Sequence, residues 1–201
     1  MNTPHTPLPL LPSGAHPARG YSRTDARGFA LTELLLAVAV LALVVGLAVP
    51  SMKSFMNSSR LTVASNTLLS SMHLARSEAI KRSGRVVLCK TADGISCTSA
   101  GGWEQGWIVF HDANNDGMRG FSETVIERVQ SLPGSLRVTG NANVARYVSF
   151  IATGATKLVG GGFQAGTVTL CNQSASGPAR QIVLNAVGRP RVHRVEAVQC
   201  A

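Results

Sequence analysis

The sequence predicts an α+β protein, a long N-terminal transmembrane helix packed on a mainly antiparallel C-terminal β-sheet domain. Three observations predict it. Hydrophobic residues make up 45% of the 201 and charged residues only 14%, against about 25% charged in a soluble globular domain. No residue from Leu34 to Met52 carries a charge. After Gly84 the texture changes to short β-prone runs separated by Gly, Asn and Pro, the pattern of strands joined by tight turns.

The first element, residues 1–28, is a leader. It holds five of the nine prolines, with Arg19, Arg23 and Arg27 just ahead of the apolar run. An ordinary secretory signal carries its apolar core before the cut; here that core follows Gly28. Arginines on this flank favour its retention in the cytoplasm, so everything after Lys53 is expected on the far side of the membrane.

The second element is a helix over residues 29–84, with the span at about 29–52. Phe29 to Pro50 is 22 residues, about 33 Å as a helix, enough for a hydrocarbon core of about 30 Å. Pro50 is expected to kink it, since a proline inside a helix removes a hydrogen bond and clashes with the preceding turn. Beyond it Leu61, Leu68, Met72, Ala75 and Ala79 recur at intervals of three, four or seven, an apolar stripe on one face. That stripe packs on the exported domain or docks neighbouring subunits; both uses fit different turns. Gly84 is the expected stop.

The third element is a β domain over residues 85–201. Candidate strands are Arg85–Cys89, Trp107–Phe110, Thr124–Val129, Arg146–Phe150, Thr167–Cys171 and Gln181–Asn185, with a last one near Arg191–Val198. Trp103 and Trp107 are expected in its core or rim. Gly160–Gly162 reads as a hairpin loop, without the lysine or helix start that a phosphate loop requires. Cys89, Cys97, Cys171 and Cys200 all follow the span, and an even count in an exported domain points to two disulfides. Zinc, the competitor, lacks both a Cys-x-x-Cys pair and histidines at ligand spacing. The expected pairs are Cys89–Cys97, closed between sequence neighbours, and Cys171–Cys200, tying down the terminal strand.

No catalytic constellation emerges. The histidines are scattered, no Gly-x-Ser-x-Gly turn occurs, and no acidic pair has a context for acid–base work. Asp112-Ala113-Asn114-Asn115-Asp116-Gly117 with Glu123 fits the calcium-loop pattern of an EF-hand. Its flanks read as strands, Arg119 puts a cation inside it, and Asn-Asp-Gly clusters form turns without metal. No metal and no cofactor are expected, and a membrane-tethered calcium-binding module stands as the remote alternative.

The junction Arg27-Gly28-Phe29-Ala30-Leu31-Thr32-Glu33 ahead of the apolar run resembles the type III signal of type IV prepilins, and Pro50 fits the same pattern. The resemblance implies cleavage between Gly28 and Phe29 by prepilin peptidase, with N-methylation of the new terminus. It also implies that Glu33 pairs with the terminal amine of an adjacent subunit during assembly. A carboxylate in a membrane helix costs roughly 3 kcal/mol on insertion scales and usually has a partner; the alternative is a Glu snorkelling to the headgroups. Leu74-Ala75-Arg76-Ser77-Glu78-Ala79-Ile80-Lys81-Arg82 followed by Val86-Val87-Leu88-Cys89 looks like the helix-to-strand passage of FimT/GspH-type minor pilins and pseudopilins. Trp103-Glu104-Gln105-Gly106-Trp107-Ile108-Val109-Phe110-His111-Asp112 is similarly typical. The implied partners are other pilin or pseudopilin subunits, prepilin peptidase and the bacterial inner membrane, with the β domain in the periplasm.

Without residues 1–28 the chain carries 16 basic and 9 acidic residues, a net +7. Arg180, Arg189, Arg191 and Arg194 lie in one stretch with His193 and no acid between them. Gly188-Arg189-Pro190-Arg191 resembles the Gly-Arg-x-Arg element of DNA-binding FimT-like minor pilins. Clustered guanidiniums suit phosphates, because each fork binds two oxygens at once. A solvated strand edge, charged against aggregation, is the competing explanation. The function implied is a minor pilin that assists pilus assembly and contacts double-stranded DNA during uptake. A minor pseudopilin of the type II secretion system is the alternative.

Overall fold

The computed structural model describes residues 30–173 and 177–198; Gly28, Phe29 and Cys200 lie outside them. The chain divides into two compact units, one ending at Val45 and the other beginning at Gly46. In the first, all that is described beyond Ala30 is helix. Helix α1 runs Leu31–Arg82 without interruption, so Pro50 sits inside it and does not end it. The stretch Leu31–Ala48 has a mean hydropathy of 2.6 and is long and apolar enough to cross a membrane. Its side chains are exposed throughout.

In the second unit α1 is amphipathic. Leu61, Ala64, Leu68, Met72, Ala75 and Ala79 are all buried, the expected stripe with Ala64 added. Each large apolar side chain removed from water contributes about 1.5–3 kcal/mol. The helix stops at Arg82 through a Schellman arrangement. Ser83 takes the left-handed position at φ 49°, its N–H bonds Ile80 O at 3.2 Å, and the Gly84 N–H bonds Ala79 O at 3.2 Å. Gly84 is thus one residue beyond the left-handed turn where glycine usually sits. A Cβ there would come to 2.8 Å from His111 Nε2, so the imidazole would have to shift to admit one.

Eight strands follow: β1 Arg85–Lys90, β2 Trp107–Asp112, β3 Val125–Val129, β4 Leu136–Gly140, β5 Tyr147–Phe150, β6 Gly166–Asn172, β7 Gly177–Leu184 and β8 Pro190–Val198. They form two four-stranded sheets, in the orders β3-β2-β1-β5 and β4-β6-β7-β8, with every pairing antiparallel. Strand β4 was not anticipated. It has only two apolar residues, and it is held by pairing with β6 and by Glu104, whose Oε2 accepts the Val138 N–H at 2.9 Å. Strand β7 begins four residues earlier than expected.

One core joins the helix to both sheets. Val86, Leu88, Val109, Val148 and Phe150 enter it from the first sheet, and Val138, Val168, Leu170, Ile182 and Leu184 from the second. Trp103 and Trp107 are fully buried in it. Their indole N–H groups find acceptors at Val144 O (3.1 Å) and Ser71 Oγ (2.9 Å), as buried indoles usually do. A smaller cluster of Val87, Cys89, Ile108 and Phe110, with Cys97 against it, covers the other face of the first sheet. This explains why β1 and β2 are apolar on both faces and do not alternate.

Candidate functional site

The arginine-rich stretch folds as β7, a turn, and β8, which forms the edge of its sheet. The turn is closed from within: the Gly188 N–H bonds Asn185 O and the Arg189 N–H bonds Asn185 Oδ1, both at 2.9 Å. Gly188 has φ 73°, and a Cβ there would collide with the Gly154 carbonyl oxygen. Only glycine meets both demands at once. The same loop grips the turn through Thr156, whose N–H bonds Ala186 O at 3.1 Å. The Thr156 hydroxyl lies 2.9 Å from Asn185 O and 2.6 Å from Gln164 O.

Gln164 is the centre of this support. It is fully buried; its Oε1 accepts the Ser149 N–H at 2.8 Å, and its Nε2 donates to Asn143 O at 2.8 Å and Tyr147 O at 2.9 Å. A single side chain therefore ties β5, the turn before it and the loop that holds the basic turn.

Side-chain alternation then sorts the arginines. In β8, Pro190 and Val192 lie opposite Leu184 and Ile182 and turn toward the core. Arg191 and His193, opposite Val183 and Gln181, take the other face and are exposed, as is Arg189 in the turn. Arg194 is exposed too, on the core-side face. Among the described residues none of these three arginines forms an ion pair. Glu196 is the only acidic residue after Glu127.

Arg180 does not join that exposed set. It follows the inward parity of Ile182 and Leu184, lies opposite Arg194 and is 5% exposed. Its guanidinium donates to Thr62 Oγ1 of α1 at 3.3 Å and to Ala179 O at 3.5 Å. Burial, followed by the Arg194 charge, pulls its pKa below the usual arginine value, though arginine stays protonated. The expected four-arginine patch becomes three exposed arginines and one buried one. The alternation Arg180, Ile182, Leu184 was a signal in the sequence that could have separated it.

Glu33 lies in the first turn of α1, where a negative charge suits the helix dipole; its N–H bonds Ala30 O at 2.9 Å. Cys89 and Cys97 are joined, with Cα atoms 5.6 Å apart. Cys171 is disulfide-bonded as well; Cys200, its expected partner, is outside the described residues. In the acidic loop the carboxylates bond the chain itself. Asp112 accepts the N–H groups of Asp116 (3.1 Å) and Gly117 (3.0 Å), and Glu123 those of Ala113 and Gly120, both at 2.8 Å. Burial pushes the Asp112 carboxyl above the usual carboxylate range, the Gly117 N–H opposes this, and the Glu123 charge adds to the push.

A long apolar N-terminal helix, its C-terminal part packed on antiparallel sheets, with an acidic residue in its first turn, defines a pilin-like, single-pass membrane-anchored subunit. More narrowly, residues 64–188 match the model of the GspH family, described as type II transport protein GspH, and the chain belongs to that family. It is a minor pilin or pseudopilin of the type IV pilus or the type II secretion system. This fold and family are those of structural subunits and not of enzymes. The type IV minor pilin FimU of Pseudomonas aeruginosa is similar in structure, with a TM-score of 0.51 at 17% identity over 69% of this chain and 92% of that one. The minor pseudopilin EpsH of the type 2 secretion system of Vibrio cholerae aligns with a TM-score of 0.47 at 10% identity, over 67% of this chain and 96% of that one. No curated protein sequence matches the chain.

Proposed function

We propose that the chain is a minor pilin of the type IV pilus that assists pilus assembly and binds double-stranded DNA for uptake in natural transformation. Prepilin peptidase cuts it between Gly28 and Phe29, the new amine is methylated, and Glu33 pairs with the amine of an adjacent subunit. The single pass leaves it in the bacterial inner membrane with the β domain in the periplasm. The observation that carries the DNA reading is the exposed trio Arg189, Arg191 and Arg194, without a carboxylate partner among the described residues. Guanidinium forks on a turn and an edge strand suit phosphates, and phosphate contacts position a protein without reading bases. A minor pseudopilin of the type II secretion system is the second reading, favoured by the description of the matching family.

A gel-shift titration at several salt concentrations tests the proposal. Three phosphate contacts give a log–log salt slope of about −2.7, at about −0.9 per contact. Arg189→Gln with Arg191→Gln should reduce it to about −0.9 and weaken all duplex sequences alike. If the double variant binds as well as wild type, the arginines are a charged strand edge and the secretion reading takes over.

A further inference from the structure

Arg180 is a buried cation without a carboxylate partner among the described residues. Charged side chains are almost never fully buried unless paired, and like charges directly opposite each other on neighbouring strands are destabilising. Yet Arg180 faces Arg194 in register, with Cβ atoms about 4.5–5.5 Å apart in such a pair. Neither residue forms an ion pair among the described residues. The elements that hold it are poor in acid: α1 carries none between Glu33 and Glu78, and Glu196 is the only acidic side chain after Glu127. Glu196 is exposed two residues from Arg194 and is not ion-paired with it among the described residues. The two hydrogen bonds of Arg180 to described residues, at 3.3 and 3.5 Å, are long beside the ~2.7–3.2 Å of ordinary N–H···O bonds. A guanidinium has five N–H donors, so several remain uncommitted.

We propose that Arg180, Arg194 and Thr62 form a seat for a phosphate-class oxyanion at the seam between α1 and the second sheet. Two forks approach from neighbouring strands, and the hydroxyl of Thr62, which lies 2.9 Å from Ser58 O, fixes one side of Arg180. A phosphate group carries about 1.5–2 negative charges near neutral pH, enough to neutralise both arginines, whereas one carboxylate neutralises one. The anion removes the like-charge repulsion and takes the unused donors. This seat goes beyond the DNA reading and does not depend on Arg189 or Arg191. Its phosphate comes either from the free ion or from a nucleic-acid backbone.

The test uses the full chain in non-ionic detergent, with thermal unfolding followed by the fluorescence of Trp103 and Trp107. Inorganic phosphate is titrated against chloride at constant ionic strength. The expected result is a saturable rise of about 3–6 °C at tenfold excess over Kd. Arg194→Gln, at an exposed position, should weaken phosphate binding at least about tenfold, as expected for removal of one charged partner. Arg180→Lys, which keeps the charge and loses the fork, should weaken it less. Arg189→Gln with Arg191→Gln should leave it unchanged. A short duplex that abolishes the phosphate-dependent rise identifies a backbone phosphodiester as occupant; a duplex that leaves it intact identifies the free ion. No rise beyond chloride, an undiminished rise in Arg194→Gln, or loss of the rise in the Arg189/Arg191 variant each overturns the seat. Failure of the DNA reading looks different: duplex binding unaffected by the Arg189/Arg191 variant while the phosphate rise persists.

Discussion

Replacing Gln164 with Leu keeps the side-chain volume close to its original value and removes three hydrogen bonds. The Ser149 N–H, in a fully buried residue, is left without its acceptor. The Tyr147 carbonyl, half-buried, loses a donor, while the Asn143 carbonyl belongs to an exposed residue and is rehydrated. A stranded buried group costs about 1–3 kcal/mol, so one full and one partial loss give about 2–4 kcal/mol. That is a large share of a total stability of about 5–15 kcal/mol. With a urea m-value of about 1–3 kcal/mol/M, the midpoint should fall by about 1–2 M. Trp103 and Trp107, the only tryptophans in the chain and both fully buried, report the transition without a label. A midpoint within about 0.3 M of wild type, at unchanged m, would refute the view that this side chain supports the basic turn.

Three further outcomes are expected. Replacing Gly28 should block processing and leave a precursor heavier on a gel by residues 1–28. Glu33→Ala should be cut normally yet fail to assemble, and wild-type assembly at native expression would remove the pairing of Glu33 with a neighbour's amine. At Asp93, the Ser96 hydroxyl and N–H, then the Ile95 N–H and the Thr91 hydroxyl, hold the carboxyl well below the usual carboxylate range. A depressed folded-state pKa gives stability that is present above the unfolded value of about 3.9 and is lost as pH falls below it. The difference in urea midpoint between wild type and Asp93→Asn should therefore be present at pH 6 and shrink below about pH 4; a difference that does not change with pH would exclude the linkage.

Much of the fold was legible because its signals are local. The three- and four-residue spacing from Leu61 to Ala79 marks the buried helix face, and the gap between the candidate strands Gln181–Asn185 and Arg191–Val198 marks the turn between β7 and β8. What escaped notice depends on partners far along the chain. Strand β4 has little apolar character of its own; Glu104, 34 residues before Val138, helps to define it. Gln164 and Thr156 look like ordinary loop residues until the Ser149 N–H and Asn185 O come to meet them. Arg180 was expected among the exposed arginines for a different reason, and it is buried. Proximity in sequence groups it with Arg189, Arg191 and Arg194, whereas strand parity groups it with Ile182 and Leu184, and in a sheet parity decides which face a side chain takes.

Helix α1 answers to two solvents along one continuous backbone. From Leu31 to Ala48, Glu33 apart, a long apolar run needs bulk hydrophobicity to match hydrocarbon, so one apolar residue can stand in for another. From Leu61 to Ala79 a protein core accepts side chains only at matching shape and only on one face. Substitutions that swap one large aliphatic residue for another should therefore pass unnoticed in the first stretch. In the second they should matter at every third or fourth residue. Outside Glu33, then, the first stretch of the helix depends on composition and the second on position.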